Sequence, residues 1–587
     1  MSLESKVKKI IGKFPYNISF KIKDNIVFLE GVVEKYEEWV EIGLEIGGIK
    51  GVEGVVNKII CKEIPEKQTE KDEKRKEIFE KMKEKIIGSY DIVIIGGGII
   101  GTAIARELSR YKVKVALIEK EPDVGLGASR ANNGMIHPGI APPKDSLKRI
   151  LNIRGNAMYD ELTEELGVRF KRVGSLLLIT PRTLERYKKY LRGPLFKLVS
   201  KYILPWIVKQ KGVRNGVKGI KILRGKEIFE IEPKANKDTI AAVYIPSTGI
   251  VDPYELTIAL AENAVANGVE IHLNTEVVGF IKSNLSIEGV VTTKGVYLCK
   301  YVINTAGVYA DEIAEMAGAR EYTIHPRKGV ILLFSKDIEG WIRHCTAELR
   351  FPQPKTTKGG NINPTIHGNI IWGPTAVEIP DKSDTSVKKE EIDFVLKKFS
   401  TIAPNFPKNK LIRYFAGVRA PTFTEDFIIR PAKWVKNFLH VAGIQSPGLA
   451  SAPAIAEYVI NLLRKMELKL DPNPNFNPRR EPIPSVAEMS LEELERKIKE
   501  DPRWGRIVCP CEMVSEAEIV EAIRRGAKSI DAIKRRTRAM MGFCQGSYCI
   551  LKIAKILARE LKIPLNEVVK EWKESKLFDG IVRGESS

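Results

Sequence analysis

The chain has 587 residues, enough for several domains with sizeable cores. Its hydrophobic share of 43% is ordinary for a globular protein, and no apolar run approaches the length of a membrane span. A formal net charge of +21 comes without a nucleic-acid motif or aromatic platform, so a general preference for lysine explains it better than a nucleic-acid partner does.

Residues 1–62 contain an alternating strand, turn and strand (ISFKIKDNIVFLEGVV), then the amphipathic EKYEEWVEIGLEIGGI, and close on a strand pattern, KGVEGVVNKII. Residues 63–85 are almost wholly charged and show no core-forming stripe, which predicts a linker over 63–88, extended or as a solvated helix. From Asp91 to Ile95 the apolar run DIVII reads as a strand buried on both faces. It feeds GGGIIG and then the helical ARELSRY. Gly96 permits the tight turn, Gly98 lets backbone approach a pyrophosphate, and Gly101 lets the helix pack close to the strand. A second strand, VKVALI, delivers Glu119, placed to accept from a ribose 2′-hydroxyl and unsuited to a 2′-phosphate. This is the only such fingerprint, so no second dinucleotide site is visible and electrons need another exit.

Five prolines between Asp471 and Ser485 mark a boundary, residues 471–490, ahead of a last domain at 491–587. Of seven cysteines, Cys61, Cys299 and Cys345 are scattered. With no secretory leader read at the start, a disulfide framework is not expected. Cys509 and Cys511 form C-x-C, and Cys544 and Cys549 form C-x-x-x-x-C. Four convergent thiolates suit zinc or an iron–sulfur cluster, with buried structural cysteines as the bland alternative. Lys534, Arg535, Arg536 and Arg538 just ahead of Cys544 suit an anionic cluster, an acidic electron acceptor or simply a solvated helix face.

Several blocks carry resemblances. EKEPDVGLGASRANNGMIHPG resembles the second flavin-binding loop of the D-amino-acid-oxidase-like FAD superfamily. LNIRGNAMYDELTEELGVRFKRVGSLLL, VINTAGVYAD, PTIHGNIIWGPTA, FAGVRAP and HVAGIQSPGLASAPAIAEYV resemble, in order through residues 89–470, the flavin subunit of anaerobic-type glycerol-3-phosphate dehydrogenases. They resemble L-2-hydroxyglutarate dehydrogenases somewhat less closely. TRAMMGFCQGSYC with the CPC pair resembles the bacterioferritin-associated-ferredoxin-like domain that binds a 2Fe-2S cluster, and residues 1–62 resemble a BON domain. The implied fold is α/β: a Rossmann-like FAD-binding domain interleaved with an α+β substrate domain, plus a small α+β N-terminal domain and a small helical iron–sulfur domain. The implied cofactors are FAD and a 2Fe-2S cluster.

The implied activity is oxidation of sn-glycerol 3-phosphate to dihydroxyacetone phosphate, with electrons leaving through the cluster to an iron–sulfur or flavoprotein partner or a quinone. Alternatives are a 2-hydroxy-acid dehydrogenase, with L-2-hydroxyglutarate first, an amine or imino-acid dehydrogenase, and an electron-transfer subunit with an idle substrate site. A cytoplasmic location is expected, with peripheral contact at the inner face of the cell membrane through the BON-like segment. By the resemblance, Gly96, Gly98, Gly101 and Glu119 hold the ADP half. Ser129, Arg130 and Asn132 lie near the pyrophosphate and ring, Ala306 and Gly307 close the dinucleotide site, and Gly443, Gly448 and Leu449 approach the isoalloxazine. Arg419 is the first candidate for the substrate anion, with Arg327 and Lys328 behind it. His367 and His137 are the candidate proton acceptors, and the other four histidines rank lower.

Overall fold

The computed structural model describes residues 2–64, 68–187, 199–350 and 359–580. The run beginning at Asp91 extends backward, giving a strand over Ile86–Ile95. It lies between the parallel strands Val115–Ile118 and Gly295–Asn304, and Glu270–His272 adds beyond Val115–Ile118. Strand Gly295–Asn304 is long enough for two partners on its other side. Its first half pairs with Ser286–Thr292, and its end pairs in parallel with Phe438–Ala442. The helices Ile99–Leu108, Leu147–Glu165, Pro253–Ala266 and Gly448–Lys465 contribute to one apolar core with this sheet.

A second, mixed sheet is built from the intervening sequence. It runs from Lys221–Leu223 through Ala241–Ile245, Ser175–Ile179, Cys345–Glu348, Asn361–Pro364 and Ile370–Gly373 to Arg327–Phe334 and Val377–Glu378, with Leu411–Arg419 paired to Arg327–Phe334. The chain therefore crosses between the sheets several times, and nucleotide and substrate domains are interleaved.

The N-terminal module has the strand, turn, strand, helix and strand order read from the sequence. Ser19–Lys23 and Ile26–Glu30 form the hairpin, Tyr36–Gly47 the helix, and Gly54–Asn57 pairs in parallel with Ile26–Glu30. A further helix, Leu3–Ile11, precedes them.

The charged stretch after the module differs from expectation. Gln68–Met82 is a helix, and it is docked, not solvated. Ile78, Phe79 and Met82 pack on Val278, Val291 and Val296, and the Arg75 guanidinium reaches Glu276 (3.3 Å) and Glu312 (3.4 Å). Arg75, Ile78, Phe79 and Met82 fall at i, i+3, i+4 and i+7, a narrow stripe hidden by the surrounding lysines and glutamates. The proline-rich segment is likewise strapped to the body. Its extended backbone leaves carbonyls to accept from side chains, as Pro478 does from Arg106 (3.2 Å) and Asn477 from Asn263 (3.1 Å), while Arg480 binds Glu262 at 2.6 Å.

The last domain is helical, with Leu491–Glu500, Glu516–Arg524, Ile530–Thr537 and Ile550–Leu561 around a short hairpin, Ile507–Cys509 with Val514–Ser515. Three of its four clustered basic residues hold the domain against the body. Arg535 (2.9 Å) and Arg536 (2.6 Å) converge on buried Asp123 of the nucleotide domain, and Arg538 binds Glu512 and Asn369. Those two guanidiniums hold the Asp123 carboxyl below its usual range against the opposing effect of burial. Among the described residues, no helix is long and apolar enough to cross a membrane.

Candidate active site

A cavity of about 760 Å³ runs between the two sheets, from Glu119 past Gly96, Gly98 and Ser129 to His137, Arg327, Arg419 and Leu449. The glycines are there for different reasons. Gly96 sits at φ +108°, and a Cβ on it would lie 2.6 Å from the Thr305 carbonyl oxygen. A Cβ on Gly101 would collide with the Gly96 carbonyl, so its hydrogen is what allows the helix against the strand; Gly101 itself does not line the cavity. At Gly98 a Cβ would meet only Ser129 Oγ, at 3.3 Å, leaving that side open to the cavity. Ser129 Oγ accepts from the Ile99 amide (2.9 Å) at the start of the helix, where negative charge is favoured. Glu119 accepts from the amides of Gly97 (2.6 Å) and Glu121 (2.9 Å), which fixes its carboxylate at the cavity wall. Arg130, Asn132, Ala306, Gly307 and Gly448 line the same space. Gly443 does not; it makes a left-handed turn at φ +69° just before the lining residues Ile444–Leu449. This open glycine edge, helix N-terminus and fixed acid fit the ADP half of FAD.

One wall residue comes from the cysteine domain. Trp572 donates its indole N–H to Glu121 (2.7 Å) and lies under the Arg130 guanidinium, 5.5 Å from its ring centre. No local pattern in the sequence announces it.

At the other end of the cavity, strand register places the charges. Arg327 stands directly opposite Glu378 on one neighbouring strand and Arg419 on the other. The fully buried Arg327 guanidinium bonds to Glu378, Glu425 (2.6 Å) and Gln445 (3.2 Å). Arg419 donates through Nη2 to the Thr375 carbonyl (2.8 Å), whereas its buried Nη1 has no partner among the described residues. Burial and the adjacent Arg327 guanidinium push Arg419 down to about 10. Lys148, absent from the sequence candidates, also lines the cavity, donating to the Glu425 carbonyl and pushed down by burial. At this end the cavity is lined by the cations Lys148, Arg327 and Arg419 and the carboxylate of Glu425, with the carboxylates of Glu378 and Asp426 set behind them against Arg327 and Lys148.

Lys328, next to Arg327, points to the opposite face because side chains alternate along a strand. It is bound by Asp384 (3.1 Å) and Glu391 (3.3 Å), away from the cavity.

The two candidate histidines part company. His137 lines the cavity, with Nε2 3.2 Å from Ser446 Oγ. His367 does not line it; its Nε2 lies 2.8 Å from Asp252 Oδ2, and since the aspartate is held down at about 2 by His367, the imidazole is the donor. Burial pushes His367 to about 4, with Arg538 adding to the effect, so it is neutral near pH 7. As pH falls from about 6.5 toward 4, the unfolded chain takes up a proton that the native chain refuses, and stability is lost in that window. Thermal melts from pH 7 to 4.5 are expected to show this decline, and His367→Gln to flatten it.

The four cysteines lie as two pairs. Cys511 and Cys544 sulfurs are 3.8 Å apart, while Cys549 neighbours Cys509 and, with the Met540 and Glu512 amides, draws its thiol down to about 6. Amides of Gly546 and Tyr548 lower Cys544. Gly542 is needed here, since a Cβ would fall against Cys511. Among the described residues no three ligands converge on a single metal point. Two thiol pairs with inward-facing amides fit a two-iron cluster better than a mononuclear zinc.

Residues 91–462 match the FAD dependent oxidoreductase family. The chain belongs to that family. Residues 507–559 of this oxidoreductase match the BFD-like 2Fe-2S binding domain, so FAD and a 2Fe-2S cluster are its cofactors. It is 41% identical to the glycerol 3-phosphate dehydrogenase of Caloramator mitchellensis, over 84% of this chain and 99% of the relative. The glycerol 3-phosphate oxidase of Mycoplasma genitalium is 32% identical over 66% of this chain and 98% of its own length. Among solved structures, the FAD-bound L-alpha-glycerophosphate oxidase from Mycoplasma pneumoniae superposes with a TM-score of 0.60 at 29% identity, covering 67% of this chain and 98% of that one.

Proposed function

We propose that this oxidoreductase converts sn-glycerol 3-phosphate to dihydroxyacetone phosphate, as the names of its relatives suggest, and passes the electrons through its 2Fe-2S domain to a partner. The observation that carries the reading is Arg419, whose buried Nη1 has no partner among the described residues, inside a cavity lined by more cations than carboxylates. A phosphate there gains a charge-assisted hydrogen bond that no described residue supplies.

FAD supplies the two-electron acceptor chemistry for the alcohol carbon. His137 takes the proton of the hydroxyl through its ring, oriented by Ser446, while Asn152 and Asn156 hold its backbone carbonyl at 2.7 and 3.0 Å. The N-terminus of helix Gly448–Lys465 opens on the cavity and favours negative charge there.

Around the Cys511–Cys544 pair, Met513, Phe543, Tyr548 and Leu551 are exposed, and Phe543 is 77% exposed. Such a rim suits an electron-accepting flavoprotein or iron–sulfur subunit, consistent with an anaerobic-type flavin subunit. The N-terminal module follows a BON-like order and exposes Lys8, Lys9 and Lys21, charges suited to an anionic lipid surface at the cytoplasmic side.

Anaerobic titration tests the substrate. Glycerol 3-phosphate is expected to bleach the flavin band near roughly 450 nm, and L-2-hydroxyglutarate to leave it unchanged. Bleaching by the hydroxy acid alone would overturn the assignment.

A further inference from the structure

The N-terminal module and the catalytic body share a core. Phe423, from the turn that follows Arg419, is 1% exposed and packs among Val33, Trp39, Val40 and Ile46 of the module. Helix Tyr36–Gly47 receives it on a face cleared of side chains. A Cβ on Gly43 would fall inside the Phe423 ring's contact radius, and one on Gly47 would collide with its carbonyl. Trp39 meets the ring edge-on, with centroids 5.3 Å apart.

The other face of the same ring lies flat on His325, with centroids 4.7 Å apart and planes 8° apart. His325 Nδ1 is 2.9 Å from Glu378 Oε2, and Glu378 Oε1 holds Arg327 Nε. His325 and Arg327 are two residues apart on one strand-like run and so face the same way. The other carboxylate on Arg327 belongs to Glu425, two residues beyond Phe423 in the same turn. Both anchors of the buried guanidinium are therefore oriented by groups that the module clamps, and Arg327 stands directly opposite Arg419.

From this continuous contact we infer that the N-terminal module is a positioning element of the substrate site, setting Arg327 and its neighbour Arg419 for an anion through Phe423, His325 and Glu378. The inference rests on the proposed use of the cavity for an anionic substrate. A body that depends on the module for the pose of its anion site needs it present in every catalytic cycle, whatever else the module binds.

The test changes only the module. Gly43→Ala places a methyl group against the Phe423 ring and leaves every cavity residue chemically intact; Gly12→Ala, whose Cβ would come no closer than 3.4 Å to its own helix, is the control. Inorganic phosphate is titrated against the FAD-loaded full chain, followed by perturbation of flavin absorbance, alongside KM and kcat for glycerol 3-phosphate. Gly43→Ala is expected to weaken phosphate and raise KM by the same factor, about tenfold, because small misplacements of positioning groups are costly. The expected kcat and bound flavin stay close to those of the control. Adding Phe423→Leu to Gly43→Ala relieves the crowding and is expected to recover the melting temperature without recovering phosphate affinity, since no ring then stacks on His325.

Wild-type phosphate affinity in Gly43→Ala, or recovery of affinity in parallel with melting temperature in the double variant, overturns the inference. A wild-type chain that binds phosphate but is not reduced by glycerol 3-phosphate fails the substrate assignment alone, and the phosphate titration still decides the positioning role. A wild-type chain with no phosphate affinity overturns both.

Discussion

Arg419→Leu is expected to lower kcat/KM for glycerol 3-phosphate by about a thousandfold, which corresponds to about 4 kcal/mol of lost interaction with a buried anion. The loss should appear first in KM, because the contact is to the non-reacting phosphate, and in a matching loss of competitive inhibition by inorganic phosphate. The same substitution is expected to leave the melting temperature unchanged or raised. Among the described residues Arg419 makes one hydrogen bond, to the Thr375 carbonyl, and burial together with the like charge of Arg327 lowers its pKa to about 10. A structural residue would not be kept in that state. Its cost is explained if the energy is recovered only when an anion arrives. Arg419→Lys should fall between the two, retaining a charge without the planar fork. Steady-state kinetics and calorimetry on the same preparations check both halves. An Arg419→Leu chain that unfolds early and keeps its KM would reverse the assignment.

Where chemistry depends on a local backbone shape, the sequence was readable. Gly96, Gly98 and Gly101 sit in a turn whose geometry is set within six residues, and Glu119 follows at the end of the next strand. The cysteines were legible for the same reason, through spacing within short loops. Register was not readable. Arg327 and Lys328 are adjacent and equally basic, and only the pairing of three strands, which puts Glu378, Arg327 and Arg419 in a row, decides which one faces the cavity. His367 sits in a motif-like block and attracts attention, yet its imidazole is spent on Asp252, the cap of helix Pro253–Ala266, over a hundred residues away. His325, ranked low, joins the shell of the site. Lys148, Glu378, Glu425, Gln445 and Phe423 come from separate stretches of chain, so no window of sequence holds their signal. The helix Gln68–Met82 is a different case: its stripe was present at helical spacing, but its breadth was too small to stand out against the surrounding charge.

Cys544→Ser is expected to abolish the cluster while sparing the flavin chemistry. Cys509 and Cys549 are almost fully buried in the core of the last domain, so replacing either confuses loss of a ligand with loss of packing. Cys544 lies at the edge of that core, and its thiol is lowered by the Gly546 and Tyr548 amides, an arrangement that favours a thiolate ligand over a neutral thiol. Serine keeps the size and removes the soft sulfur that iron in such a cluster requires. Iron and acid-labile sulfide should both fall to background, with FAD content and anaerobic bleaching by substrate retained. The docking of the domain should also survive, since Arg535 and Arg536 reach Asp123 independently of the cysteines. Turnover with a protein acceptor should then drop by at least about tenfold, whereas a small dye able to enter the flavin cavity should still be reduced. Zinc at this position would give another pattern: no labile sulfide in the wild type, and no change in electron delivery on mutation. Unchanged iron and sulfide in Cys544→Ser would remove this cysteine from the ligand set, and unchanged delivery to the protein acceptor after cluster loss would place the electron exit directly at the flavin.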